Sequence, residues 1–200
     1  MNKGAETRAT IITEALKVAG MAGLGGISIG PLATRVGLSK SGLFSHFGSK
    51  EALQMAVLQE VIDRFIAQVI HPAVQEEDAE ARIRALFTGW IRWEDGKGFP
   101  GGCPLQAAFH ELDDQPGPLR DYIVEQQIAW MDCIERMAQK AMDEGVFRPD
   151  LNRKQFAFEA NAIGLGYNYM VRLLRDEDAE RDAFAAVDRL IRDARPNPED

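Results

Sequence analysis

The chain has 200 residues and a net charge of −8 at neutral pH, a length that suits one or two domains with a substantial core. It has no uninterrupted apolar run of about 18 residues and no apolar N-terminal stretch, so we expect neither a membrane span nor a signal peptide, and a cytoplasmic location. Its two cysteines, Cys103 and Cys133, form no CxxC pair, which argues against a disulfide framework or a structural metal site; nothing in the sequence indicates a cofactor.

The spacing of apolar residues predicts an all-α chain of about nine helices. Apolar residues recur at helical intervals, and clusters of glycine and proline separate the segments. The predicted helices span residues 5–22, 29–36, 40–47, 49–70, 78–95, 104–112, 117–144, 151–175 and 177–194. We expect His71-Pro72 to end the fourth helix, because the residue before a proline disfavours helical conformation. No strand, repeat or low-complexity segment is predicted.

The stretch from Ser28 to Glu51 predicts two short helices joined by a tight turn, which is the helix-turn-helix layout. Ser28 and Ser39 are suited to cap the two helix starts, since their hydroxyls accept hydrogen bonds from unpaired backbone N–H groups. Gly37 is suited to the left-handed position that ends the first helix. The second helix is expected to direct three side chains inward: Leu43, Phe44 and Phe47.

Charge is distributed unevenly along the chain. Residues 1–55 contain six basic and three acidic residues, a net charge of +3, whereas the remainder carries −11. A basic head on an acidic body fits local binding to nucleic-acid phosphates. Ordinary scatter of surface charge explains the same numbers equally well.

Beyond the layout, a series of residues in this stretch carries a family resemblance. They are Ser28, Leu32-Ala33, Gly37-Leu38-Ser39, Leu43-Phe44-Ser45-His46-Phe47 and Ser49-Lys50-Glu51. With them the chain resembles the DNA-binding domain of the TetR family of bacterial transcriptional regulators, in detail over about residues 8–53. Phe44 is a departure, because the family usually has tyrosine there, and one expected hydrogen bond to a phosphate is therefore absent.

The resemblance implies a DNA-binding domain over residues 1–50 whose second short helix enters the major groove. The residues expected at base edges are Lys40, Ser41, Gly42 and Ser45. Those expected at the phosphate backbone, which position the protein without reading sequence, are Ser28, Phe44, His46 and Lys50. A locally packed histidine is the alternative explanation of His46.

Residues 51–200 are expected to form a helical ligand-binding and dimerisation domain. By resemblance, the helices at 78–95, 104–112 and 117–144 wall an apolar cavity, and the last two helices of each subunit form a four-helix dimer contact. The apolar stripe on 180–194 fits that contact, because a terminal helix needs a cover for its apolar side. Candidate ligand-binding residues are Trp90, Phe109, Tyr122, Gln126, Trp130, Met131, Phe158 and Asn161. Taken one by one, these side chains are better explained as core.

The favoured function is a homodimeric repressor that a small apolar ligand releases from a palindromic operator; repression rather than activation follows only the family tendency. No catalytic motif is present, so we do not expect an enzyme. One alternative keeps the DNA-binding head but takes a redox or electrophile input at Cys103. That residue precedes a helix start, where the dipole favours a thiolate, although a small buried turn residue explains it more simply. A further alternative is a carrier of lipophilic ligands that binds no DNA.

Overall fold

A computed structural model describes residues 3–94 and 99–196 of the chain, and all regular structure in these ranges is helical. The helices are α1 (Lys3–Ala22), α2 (Ile29–Arg35), α3 (Lys40–Phe47), α4 (Lys50–Phe65), α5 (Ala79–Glu94), α6 (Pro104–Leu112), α7 (Pro118–Asp143), α8 (Arg153–Tyr169) and α9 (Ala179–Ala194). Within the described ranges, the predicted all-α fold of about nine helices is confirmed. Residue 95, the predicted end of the fifth helix, lies outside them.

Two helices run directly into π-helical turns. α4 is followed by the turn Ile66–Ile70 and the short helical segment His71–Val74, and α8 is followed by the turn Met170–Leu174. The predicted helix end at His71-Pro72 is therefore wrong. Pro72 lies in the first turn of the short segment, where its missing N–H costs little. The wider π-helical turn before it lets the chain remain helical up to the proline.

By its contacts the chain divides into two compact units. The first unit comprises Met1–Phe65 and Gly96–Glu125, and the second comprises Ile66–Asp95 and Gln126–Asp200. The predicted boundary at residue 50 separates functions rather than packing units, and it stays a prediction.

The first unit packs α2, α3, α4 and α6 around α1. Its core contains the fully or almost fully buried side chains Ile11, Ala15, Leu16, Ala19, Leu24, Ile27, Leu32, Leu43, Leu53, Val57 and Ala108. Each large apolar side chain buried in this way stabilises the fold by about 1.5–3 kcal/mol. α2 and α3, which have only seven and eight residues, are therefore held by the shared core and not by their own helix propensity.

Local residues set the ends of these helices. Ser39 Oγ accepts a hydrogen bond from Gly42 N at 3.0 Å, and Ser49 Oγ accepts one from Ala52 N at 2.9 Å. Gly37 (φ 69°) and Gly48 (φ 75°) follow α2 and α3 with the positive φ that glycine adopts without strain. The turns predicted around the second short helix are confirmed.

The second unit packs α5 against α8 and α9. Gly164 of α8 is required by this contact, because a Cβ there would lie 2.0 Å from the nearest ring carbon of Trp90. Gly166 has no atom within 4 Å of such a Cβ. Of these two glycines, only Gly164 is therefore required by the tight helix–helix contact.

The apolar stripe of α9 is covered within the chain. Val187, Ile191 and Ala194 are at most 1% exposed, and the rest of the stripe is buried or half-buried. α5 and α8 cover the stripe, so it does not by itself argue for a partner subunit, and the four-helix dimer contact stays a prediction. Five exposed apolar residues lie together on α8 and its π-helical turn, namely Phe158, Leu165, Tyr169, Leu173 and Leu174.

Candidate nucleic-acid interface

α3 presents a polar outer face on an apolar anchor. Leu43 is the one residue of this helix that is fully buried, and it packs the helix onto the first unit. Lys40, Ser41, Phe44 and Ser45 are exposed, whereas Gly42 and His46 are half-buried. A short helix with one buried anchor leaves most of its circumference available to a groove.

The serines on this face are held by local hydrogen bonds. Ser45 Oγ donates to the backbone oxygen of Gly42 at 2.7 Å, and the hydroxyls of Ser39 and Ser41 lie 3.1 Å apart. A Cβ at Gly42 would lie 3.1 Å from Ser39 Oγ, which is tighter than most such contacts. Gly42 therefore serves the cap at the start of α3, besides the close approach to DNA predicted for it.

The side chain of Lys40 lies along α2. A Cβ built on Gly30 would be 3.0 Å from Lys40 Cε and 3.6 Å from Nζ, so the missing side chain at Gly30 makes room for the lysine stem. The ammonium group is exposed beside the start of α3, where the N-terminal residues of a recognition helix meet base edges.

Two of the predicted phosphate-binding residues differ in detail from expectation. Ser28 precedes α2 in extended conformation, but its side chain makes no capping hydrogen bond, so the predicted cap is wrong and the hydroxyl stays at the surface. Lys50 Nζ donates to the backbone oxygen of Gly25 at 3.1 Å. Because an ammonium group has three donors, this contact leaves Lys50 able to bind a phosphate as well.

Phe44 points outward, and the expectation that it packs inward is wrong. Its side chain is 45% exposed, whereas Leu43 is buried and Phe47 half-buried. Successive residues are 100° apart around a helix, so burying Leu43 turns Phe44 toward the side of the helix. His46 lies near Phe47, with ring centroids 6.5 Å apart, and the Arg8 guanidinium lies 5.0 Å from the Phe47 ring centre.

A contact that the sequence reasoning missed holds the loop between α1 and α2, residues 23–26, which we call the 23–26 loop. The carboxylate of Glu111 on α6 accepts from Leu24 N at 2.8 Å and from Gly25 N at 2.5 Å. Gln54 Nε2 on α4 donates to the backbone oxygen of Leu24 at 2.8 Å. The glycines of this loop were the only sequence signal, and they do not identify a carboxylate 86 positions away.

Three of the predicted ligand-binding residues come together in the second unit. The rings of Trp90 and Trp130 meet edge to face with centroids 5.0 Å apart, and Trp130 Nε1 donates to Asn161 Oδ1 at 3.1 Å. Gln126 and Met131 are half-buried on α7. Phe158 is 63% exposed on the outer side of α8, so it lines no enclosed cavity of the single subunit, contrary to the expected role.

Phe109 and Tyr122 belong to the first unit. Both are half-buried, Phe109 on α6 and Tyr122 on α7. Burial raises the pKa of the Tyr122 hydroxyl, and the negative charges of Asp63 and Glu125 raise it further.

The two cysteines are free thiols in different surroundings. Cys103 is buried and directly precedes α6, and Cys133 is partly buried on α7. Burial raises the pKa of Cys133, against a smaller opposing effect of Arg136. Over residues 3–94 and 99–196, no three His, Cys, Asp or Glu side chains are grouped so as to hold a metal ion, and no helix is long and apolar enough to cross a membrane.

The helices α1, α2 and α3 form a three-helix domain, which we call the head, and its capped helix α3 faces outward. This is the architecture of helix-turn-helix DNA-binding transcriptional regulators. The family model described as "Bacterial regulatory proteins, tetR family" matches residues 11–57, and "Tetracyclin repressor-like, C-terminal domain" matches residues 79–187. The chain belongs to the TetR family of bacterial transcriptional regulators, and the resemblance seen in its sequence is confirmed.

Relatives and solved structures extend the comparison. The HTH-type transcriptional activator FasR of Mycolicibacterium smegmatis is 30% identical over 142 residues, which cover 67% of this chain and 55% of that protein. The chain thus spans about half the length of this relative. A TetR-family regulator from Cytophaga hutchinsonii has a TM-score of 0.88 at 24% identity, covering 98% of each chain. AibR in complex with isovaleryl coenzyme A and operator DNA has a TM-score of 0.73 at 21% identity, covering 92% of this chain and 98% of AibR. The two structures show the shared fold.

Proposed function

We propose that the chain is a cytoplasmic, homodimeric repressor that binds a palindromic operator through α3 and leaves it when a small, mostly apolar ligand binds. The observation that carries the proposal is the outer face of α3, where Lys40, Ser41 and Ser45 are exposed beside a buried Leu43. In a two-fold dimer, two such helices reach half-sites whose centres are about 34–36 Å apart, or a multiple of that distance.

The exposed apolar stripe on α8 and its π-helical turn, which we call the α8 stripe, supports the dimer. Phe158, Leu165, Tyr169 and Leu173 are all at least 42% exposed and recur at helical spacing. An apolar stripe of this kind is typical of an interface. It replaces the α9 stripe as the physical argument for self-association.

The ligand site proposed here is centred on Trp90, Trp130 and Asn161. The two indole rings offer apolar surface, and the Asn161 amide offers one polar group, a combination typical of small-molecule sites. A ligand releases DNA only to the extent that it binds the non-DNA-binding state more tightly. The predicted ligand-binding roles of Phe109 and Tyr122 stay predictions.

The test is a selection of duplexes from a random pool at several salt concentrations, followed by a ligand screen for release. We expect salt-sensitive, sequence-dependent binding. The probes include isovaleryl coenzyme A, chosen because AibR, which shares the fold, was solved with it. Since all three tryptophans are at positions 90, 93 and 130, indole fluorescence reports ligand binding in the second unit. Protein that binds every duplex equally or none at all contradicts the proposal.

Two lysine variants separate reading from positioning. Lys50→Ala is expected to weaken binding to all sequences and to lower the salt slope by about 1, as loss of one phosphate contact does. Lys40→Ala is expected to change the selected sequence as well. Lys17, which is exposed on α1 and paired with Glu14, provides the charge-matched control Lys17→Ala. An unchanged sequence preference in Lys40→Ala removes that residue from the readout.

Activation is a second candidate, because the 30% identical relative FasR is named a transcriptional activator. Repression and activation are distinguished by measuring transcription from a promoter that carries the selected operator. Added protein lowers transcript yield if it represses and raises it if it activates.

The redox alternative at Cys103 is less well supported by the geometry. Cys103 is 7% exposed as a residue, whereas sensor cysteines are accessible. Cys103→Ser tests it: a variant that still leaves DNA when the electrophile N-ethylmaleimide is added excludes the input at this residue. The carrier alternative leaves the face of α3 without a role, and ligand capture without any duplex binding would favour it.

A further inference from the structure

The 23–26 loop is held from both sides by two other helices. Its N–H groups at Leu24 and Gly25 donate to Glu111 of α6, while the carbonyls of the same two residues accept from Gln54 and Lys50 of α4. The backbone N–H and C=O groups of both residues are thus hydrogen-bonded to side chains of α4 and α6. α2 begins only three residues after the loop, at Ile29. These hydrogen bonds therefore fix the position of the first residues of the helix-turn-helix.

The loop sequence is fitted to the carboxylate of Glu111. A Cβ at Gly23 or at Gly25 would lie 2.5 Å from one of its oxygens. Gly23 has φ 71° and needs glycine for its backbone, but Gly25 has no positive φ. The backbone therefore does not require glycine at position 25, but a side chain there would displace the Glu111 carboxylate from its present position.

The segment before α6 is packed in the same way on α1. A Cβ at Gly20 would lie 2.5 Å from the backbone oxygen of Pro100 and 3.0 Å from that of Gly102. The stretch from Pro100 to Glu111 therefore contacts α1 at its start and the 23–26 loop at its end. A displacement of α6 larger than the Glu111 side chain can follow would therefore move the loop or break its hydrogen bonds to Glu111.

We propose that Glu111 is a positioning residue for DNA binding, which couples the position of α6 to that of the helix-turn-helix. The proposal rests on the DNA-binding function proposed above. By thermodynamic linkage, whatever moves α6 changes operator affinity, and operator binding in turn restrains α6 by the same coupling free energy.

The first experiment compares Glu111→Gln with Asp114→Asn in operator binding and in amide exchange. Asp114 is exposed three positions further on, and its variant removes the same negative charge. A glutamine keeps one accepting oxygen of two, so exchange at Leu24 or Gly25 should accelerate by about tenfold, the scale of one lost hydrogen bond. Specific operator affinity should fall by about tenfold, the scale of one charge-assisted hydrogen bond. The salt slope should stay unchanged, because no phosphate contact is lost.

The second experiment tests coupling rather than stability. Operator DNA is added to wild type and to Glu111→Ala, and hydrogen exchange is followed over residues 104–112. We expect the duplex to slow exchange of this segment in wild type only, while α3 is protected in both proteins. Equal protection of residues 104–112 in the two proteins overturns the coupling role.

A double-mutant cycle adds a steric check. Gly25→Ala alone should weaken operator binding, since the new Cβ meets the Glu111 carboxylate. In the Glu111→Ala background the same change should have little effect, because the opposing group is gone. Additive effects overturn the proposed contact.

The two proposals fail in different ways. Absence of sequence-dependent duplex binding by wild type overturns the DNA-binding function. Normal binding by wild type, with equal affinities of Glu111→Gln and Asp114→Asn, overturns only the role of Glu111.

Discussion

Replacing Gly164 by alanine should destabilise the second unit, because the ring of Trp90 occupies the space of the added methyl group. The new Cβ would lie 2.0, 2.2 and 2.4 Å from three carbons of that ring, against an ordinary carbon–carbon contact of about 3.5–4.0 Å. The ring would have to move by roughly 1–2 Å to restore that distance. Its neighbour Trp130 opposes the movement, since the two rings are in edge-to-face contact and Trp130 is hydrogen-bonded to Asn161.

The magnitude follows from two opposing effects. Alanine in place of glycine stabilises a helix interior by about 0.8–1 kcal/mol, whereas overpacking a core costs about 1–3 kcal/mol. Gly166 on the same helix is the matched control, because no atom lies within 4 Å of a Cβ there. Gly166→Ala should keep the helix gain alone. The two variants should therefore differ by about 1–3 kcal/mol in free energy of unfolding, with Gly164→Ala the less stable.

Urea unfolding followed by far-ultraviolet circular dichroism measures this difference. All proteins are compared at one concentration, because self-association makes apparent stability concentration-dependent. Indole fluorescence should shift in Gly164→Ala and stay as in wild type in Gly166→Ala. Equal stability of the two variants would refute the reasoning, and it would mean that Trp90 has room to move beside Gly164.

Three further changes test the head and the outer surface. Ser39→Ala should lower the free energy of unfolding by about 1 kcal/mol through loss of the α3 cap. Ser28→Ala removes a hydroxyl that caps no helix, so its stability should stay within about 0.5 kcal/mol of wild type. Equal losses of the two variants in thermal or urea unfolding would contradict the cap assignment. Phe44→Tyr should tighten duplex binding by about threefold to tenfold, the worth of one neutral hydrogen bond to a phosphate. The gain should be the same for specific and non-specific duplexes, so a changed sequence preference would argue against phosphate contact. Leu173→Glu on the α8 stripe should weaken self-association in sedimentation experiments. Met21→Glu, at a similarly exposed apolar position on α1, should not. Equal effects of the two changes would remove the stripe from the interface.

The head was predictable because its signals are local. A hydroxyl at Ser39 reaches an N–H three residues on, and glycine at 37 and 48 permits positive φ at the ends of α2 and α3. Each of these features depends on neighbours within one helical turn. The same locality explains why the series of residues from Ser28 to Glu51 was enough to indicate the TetR family.

Predictions that depended on contacts between residues distant in the chain were less accurate. The α9 stripe was identified correctly as apolar, but periodicity does not say what covers it, and α5 and α8 do so within the chain. Phe44 was expected inside because it is apolar and adjacent to Leu43, yet a short helix with one buried anchor has room for few inward side chains. Phe158 was grouped with the aromatic body, whereas helix rotation places it outside.

The amino-acid sequence by itself determined the helical class, the helix-turn-helix and the family, since apolar period, caps and turn glycines act over a few residues. Only the tertiary structure decided which apolar faces are covered and which carboxylate accepts hydrogen bonds from the 23–26 loop. Glu111 gave no sign in the sequence, because its partners are backbone N–H groups, which every non-proline residue carries. Folding alone brings that carboxylate to Leu24 and Gly25, and glycine at position 25 is explained only once the two are together.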